Sequence, residues 1–149
     1  MKSRSPVTSS VWLPLSPLAT LQQFLAVEAM QRWWGVARGL VEPRVGGIWA
    51  LGWDLSPQGY RYVTTGIIAA YRPKKKLCIN QLVYFNPDRA VLGPMRLKFE
   101  VIPEQDGCRL TVCQDGYLTG GDWDRYYDAV SQGWPKALDL LRRHSQNGC

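Results

Sequence analysis

The 149-residue sequence predicts one α+β domain in which a curved antiparallel sheet wraps around a long C-terminal helix. Three observations lead there. Between residues 37 and 117, apolar side chains recur with a period of two, in strand-sized runs separated by Gly, Pro and Asn turns. Ahead of that stretch, two short segments carry apolar residues at helical spacing. After Asp122 the spacing turns helical again and holds for about 20 residues.

Taken in order, residues 1–6 are polar and expected to be a loose tail, with the domain proper at 7–143 and a second tail at 144–149. Val7 to Leu13 is a short strand closed by Pro14. Ser16-Pro17 is a helix start, Ser as N-cap and Pro at the first helical position. Leu18, Leu21 and Phe24-Leu25 give that helix one apolar face. Val27, Met30 and Trp33-Trp34 mark a second short helix, ended by Gly35. Leu40 to Val45 and Ile48 to Trp53 flank Gly46-Gly47, a hairpin signal because a tight turn needs positive φ.

Further strands are expected over Tyr60 to Tyr71, Leu77 to Phe85, Pro94 to Ile102 and Cys108 to Tyr117. In the third of these, Met95, Leu97, Phe99 and Val101 alternate with Arg96, Lys98 and Glu100. The last segment repeats Tyr126/Tyr127, Val130, Trp134, Ala137/Leu138 and Leu141 at steps of three and four. Pro135 lies inside it, so a bend near Gly133-Trp134 or two abutting helices is expected. Only this amphipathic helix is long enough to cover the buried face of the sheet.

Composition narrows the function classes. Hydrophobic residues make up 46%, which excludes wholesale disorder. No apolar run approaches the roughly 20 residues of a membrane span, and the positive N-terminus is followed by no apolar segment, so a cytoplasmic protein without membrane insertion is expected. The net charge of +6 permits anionic partners, but Lys74-Lys75-Lys76 is a short turn run without the interleaved aromatics of a nucleic-acid surface. One histidine, His144, and four cysteines without a Cys-x-x-Cys pair give no metal site, and no cofactor motif is present. The cysteines are expected as free thiols, with Cys78 and Cys113 as small core residues. Seven tryptophans suit either a bulky core or the lining of a pocket.

Four segments resemble one known family. Glu42-Pro43-Arg44-Val45-Gly46-Gly47-Ile48-Trp49 is similar to an acidic-x-Arg-x-Gly-Gly hairpin, and Gly66 to Pro73 to a Gly-to-Pro strand ending. Gln114-Asp115-Gly116-Tyr117 resembles a His-x-Gly-aromatic segment, and Gly133-Trp134-Pro135 with Leu138 and Leu141 a Gly-Trp helix signature. All four belong, in this order, to the family called activator of heat-shock-protein ATPase homologue, of the START-like, birch-pollen-allergen-like (SRPBCC) superfamily. The resemblance implies a helix-grip fold with a hydrophobic cavity between sheet and helix, which relatives use to bind lipids, hormones or polyketides, some of them catalysing cyclisation. Two positions depart from the pattern: Gln114 replaces the family's His, and Gln81 replaces an aromatic near the end of the fifth strand. Chemistry that needs an imidazole at the first position is therefore not expected.

Candidate site residues follow. Trp34, beside Trp33, ends the second helix, where relatives close one end of the cavity; the plainer reading puts one of the pair in the core and the other on the surface. Trp49 and Trp53 share a strand face and line the cavity if that face is concave. Trp134, of the Gly-Trp signature, is a cavity candidate whose plainer reading is an anchor of the last helix against the sheet, while Tyr127, Val130 and Leu138 are core-stripe residues or lining. Tyr62, Gln81, Tyr84 and Gln114 are the polar candidates, the alternative being a strand edge facing solvent. Glu42 and Arg44 alternate on a strand, either as a surface ion pair or as a charge pair at the cavity rim. No catalytic triad is apparent.

The reading is a domain that binds a small hydrophobic or aromatic molecule. An enzyme of the polyketide cyclase or hydrolase kind would need a titratable group in the cavity, drawn from Glu42, Arg44, Asp54, Tyr62 or Tyr84. A co-chaperone-like interaction module would need a large exposed apolar patch elsewhere.

Overall fold

A computed structural model describes residues 2–147; Gly148 and Cys149 lie outside the described residues. The chain runs β1 (Val7–Leu13), α1 (Pro17–Gln22), α2 (Val27–Trp33), β2 (Arg38–Val41), β3 (Ile48–Ser56), β4 (Gly59–Arg72), β5 (Lys76–Phe85), β6 (Leu92–Glu104), β7 (Gly107–Asp115) and α3 (Asp122–Asn147). All seven strands form one antiparallel sheet in the order β1-β7-β6-β5-β4-β3-β2. The hairpins β2 to β7 place sequence neighbours side by side, and β1 closes the far edge against β7.

Alternation sets which face is buried. On β6, Met95, Leu97, Phe99 and Val101 are buried, while Arg96, Lys98 and Glu100 face solvent. Leu97 pairs with Gln114, Phe99 with Val112 and Val101 with Leu110, so β7 presents its buried residues to the same side. Two register shifts break the pairing of β4 with β5, and two more that of β5 with β6. Such bulges bend and twist strands, turning a flat sheet into a concave one.

The helices follow local chemistry. The Ser16 hydroxyl accepts from the Ala19 N–H at 3.1 Å and caps α1, which begins on Pro17. A buried contact of 3.0 Å between Thr20 Oγ1 and Cys108 Sγ joins α1 to β7. Gly35, at φ 77°, lets the chain leave α2. Helix α3 is one continuous helix through Pro135, not the two abutting helices that the sequence also allowed. The carbonyl that loses its partner there is Ser131's, and both residues are exposed, so water can satisfy it. The helix runs on to Asn147, into the stretch expected to be a tail. At the other end, the Arg4 N–H donates to the Tyr117 carbonyl at 3.1 Å and the Tyr127 hydroxyl donates to the Ser5 carbonyl at 3.1 Å.

Two local expectations are corrected. The expected strand over Leu40 to Val45 stops at Val41, because Pro43 cannot donate to a ladder; residues 42–45 are loop that leads into the turn at Gly46, which sits at φ 85°. Cys78 and Cys113 point to the outer face and are half-buried; the core thiol is Cys108, whose pKa burial pushes up. Among the described residues no helix is long and apolar enough to cross a membrane.

Tyr117, just past β7, is fully buried, and its hydroxyl has no partner. Burial pushes its pKa far above the ordinary tyrosine value. A buried unsatisfied hydroxyl costs about 1–3 kcal/mol. Tyr117→Phe is therefore expected to leave the urea midpoint unchanged or raise it; a loss of more than about 1 kcal/mol would show that the hydroxyl is bonded.

Candidate functional site

The concave face of the sheet and α3 do not meet along their whole length. Between them lies a cavity of about 260 Å³. The alternation of β3 turns Trp49 and Trp53 inward, β4 contributes Thr64, β5 Leu82 and Tyr84, β6 Leu97 and β7 Gln114. From α3 come Tyr126, Ala129, Val130, Gly133, Trp134 and Ala137, and Trp34 closes the cavity from the end of α2. The small residues Ala129, Gly133 and Ala137 keep helix side chains out of this space. No lining side chain is charged.

Aromatic rings build two walls. At one, Trp34 stacks on Trp33 with centroids 4.9 Å apart, and meets Trp53 at 5.2 Å and Trp134 at 5.6 Å. Phe24 and Phe99 extend this cluster into the core at 4.2 Å from each other. The buried Trp49 donates from Nε1 to the Phe24 carbonyl at 2.7 Å, so its ring is fixed and its polar atom satisfied. The other wall is tyrosine: Tyr84 lies 4.5 Å from Tyr126, with Tyr62 beyond it at 6.4 Å.

A hydrogen-bonded chain links the walls. Trp134 Nε1 donates to Gln114 Oε1 at 2.9 Å, and Gln114 Nε2 donates to the Tyr126 hydroxyl at 2.9 Å, with Met95 Sδ a further 3.6 Å contact. Gln114 is only 2% exposed, so this pairing is what makes its burial tolerable. Burial raises the pKa values of both Tyr84 and Tyr126, so each is a neutral phenol at ordinary pH. At the mouth nearest the tyrosines, Asp122 accepts from the Ala90 N–H at 2.9 Å and from Arg89 at 3.4 Å, tying the loop before β6 to the start of α3. The Ala90 hydrogen bond holds the Asp122 carboxyl below its usual range.

Seven of the sequence-derived candidates line this cavity: Trp34, Trp49, Trp53, Tyr84, Gln114, Val130 and Trp134. Four do not. Gln81 is exposed, because the bulge at its φ of 51° resets the strand alternation: Leu77 and Ile79 face inward, then Leu82 and Tyr84. Tyr62 stacks beyond Tyr84, outside the lining. Tyr127 turns toward the N-terminal segment, edge-on to Tyr117 at 5.0 Å and beneath the Arg4 guanidinium. Leu138 is fully buried in the core. Glu42 and Arg44 are not rim charges: they pair at 3.3 Å in the exposed 42–47 loop and line no part of the cavity.

Sequence reasoning missed Tyr126, although Tyr126, Val130 and Trp134 stand at i, i+4 and i+8, so one more step along the chosen face reaches it. A wider groove of about 870 Å³ lies between the start of α1, the 72–76 turn and β6, and is lined by Arg72 and Lys74 to Lys76 with Glu100. Among the described residues, no group of three or more His, Cys, Asp or Glu could hold a metal ion.

The profile of the family described as Activator of Hsp90 ATPase homolog 1-like protein matches residues 22–146. The chain belongs to this family. Solved structures agree on the fold. MLL2253 of Mesorhizobium loti is 18% identical, with a TM-score of 0.75 over 97% of this chain and 99% of that one. Mll3558 of Rhizobium loti is 19% identical, with a TM-score of 0.75 over 96% and 99%. The Aha1 dimer of Colwellia psychrerythraea is 12% identical, with a TM-score of 0.72 over 97% and 98%. A comparison with curated proteins finds no match. The match to the Activator of Hsp90 ATPase homolog 1-like family spans α2, strands β2 to β7 and α3 up to residue 146.

Gln114 couples two α3 residues to β7, so its loss has a measurable cost. Gln114→Leu keeps the volume but leaves Trp134 Nε1 without an acceptor. A destabilisation of about 1–3 kcal/mol in chemical denaturation is expected; unchanged stability would show that the clamp is not formed.

Proposed function

We propose that this domain binds a small hydrophobic or aromatic molecule between the sheet and α3. The observation that carries the reading is a cavity walled by tryptophan and tyrosine and lined by no charged side chain. Few convergent polar groups in an otherwise apolar recess are the usual mark of a binding site. A cavity of about 150 Å³ accommodates benzene, so 260 Å³ suits a guest of one or two rings. Burying about 300 Å² of apolar ligand surface gives about 7 kcal/mol gross. After the cost of association, micromolar affinity is the natural range.

A catalytic reading has less support. Of the titratable groups that an enzyme could use, Glu42, Arg44, Asp54 and Tyr62 do not line the cavity, and the two that do, Tyr84 and Tyr126, are phenols with raised pKa values. Each can donate a hydrogen bond but is a poor base near neutral pH.

The test is a thermal-shift screen with one- and two-ring aromatics and fatty compounds, read alongside tryptophan fluorescence. At a hundredfold excess over Kd a ligand stabilises by about 2.7 kcal/mol, on the order of 5–10 °C in Tm for a domain of this size. Binding is expected to quench or shift the fluorescence of the Trp34 and Trp53 wall, and Val130→Phe, which narrows the space, is expected to weaken both effects. A panel in which no compound changes Tm or fluorescence would overturn the proposal.

A further inference from the structure

We infer that the cavity selects guests carrying a neutral hydrogen-bond acceptor, a ketone or amide carbonyl oxygen on a flat apolar frame, and that the Tyr126 hydroxyl donates to it. This rests on the binding role proposed above and adds the chemistry of the guest.

The argument starts at Trp134. An indole N–H can only donate, so the Gln114 atom 2.9 Å away must be the carbonyl oxygen, and the amide has one possible orientation. Its NH₂ group therefore faces Tyr126 at 2.9 Å. An amide NH₂ can only donate, so the phenol oxygen must accept. The phenol's own hydrogen is then turned away from Gln114, and no described residue accepts it. Burial keeps that proton in place, since the phenol pKa lies far above the ordinary value. One donor-only group thus sets the polarity of a chain of three, which ends on the O–H of a residue that lines the cavity.

Two features define the partner of that O–H. The lining holds no cation, so a carboxylate entering the cavity would lose its hydration with only neutral donors in return. The opposite wall is stacked indole, which favours a flat frame. A neutral carbonyl on a ring system meets both conditions.

Three shape-matched probes test this by titration against the intact protein: 2-acetylnaphthalene, 2-ethylnaphthalene and 2-naphthoate. The ketone is expected to bind roughly 3- to 10-fold more tightly than the hydrocarbon, and the carboxylate most weakly. In Tyr126→Phe the ketone's advantage over the hydrocarbon is expected to vanish. Equal affinity of ketone and hydrocarbon for the unaltered protein overturns the inference but leaves the binding role standing. Binding of neither overturns both. Tightest binding by the carboxylate, or a ketone advantage that survives Tyr126→Phe, also overturns the inference. Should Tyr126→Phe fail to fold, the carbonyl stretch of the bound ketone in the unaltered protein decides. A stretch below that in an alkane solvent reports the donated hydrogen bond, and an alkane-like value contradicts it.

Discussion

The hydrogen bond from Trp134 to Gln114 fixes how deeply α3 sits in the sheet. A buried indole N–H needs an acceptor, and a buried glutamine needs partners for both ends of its amide. Each meets the other's need at 2.9 Å, and Tyr126 takes the remaining amide N–H. Helix and sheet are thereby joined along one side of the groove through side chains long enough to leave space beside them. Ala129, Gly133 and Ala137 preserve that space because they are too small to fill it.

Curvature supplies the other half of the cavity. Bulges in the pairing of β4, β5 and β6 bend the middle of the sheet around α3. The same bulges decide which residues see the interior, so shape and lining have one origin. At one end of the hollow the indoles of Trp33, Trp34, Trp53 and Trp134 pack ring against ring, and at the other the phenols of Tyr84 and Tyr126 do so. The hollow therefore has an apolar end and a hydrogen-bonding end, both built from rigid side chains with little entropy left to lose on binding.

Much of this was legible from residue order. The alternation of Met95, Leu97, Phe99 and Val101 named the buried face of β6, and the i, i+4 steps of Val130 and Trp134 named the inner face of α3. What escaped depends on backbone conformation that no side-chain pattern encodes. Counting by twos from Leu77 puts Gln81 inside, and the positive φ of Gln81 puts it outside. Glu42 and Arg44 keep their ion pair but lose their strand to Pro43 and Gly46. Tyr126 and Tyr127 are adjacent in sequence yet roughly 100° apart around a helix, so only the docked helix decides which one faces the cavity. Pro135 broke nothing because it stands on the solvent side of α3.

The account depends on there being room for a guest between α3 and the sheet. Xenon reports that directly, since it enters apolar space of molecular size and needs no particular chemistry. Diffraction from a crystal held under xenon pressure is expected to show a heavy-atom peak bounded by Trp34, Leu82, Leu97 and Val130. An interior with no peak there, and xenon bound only on the outer surface, would contradict it.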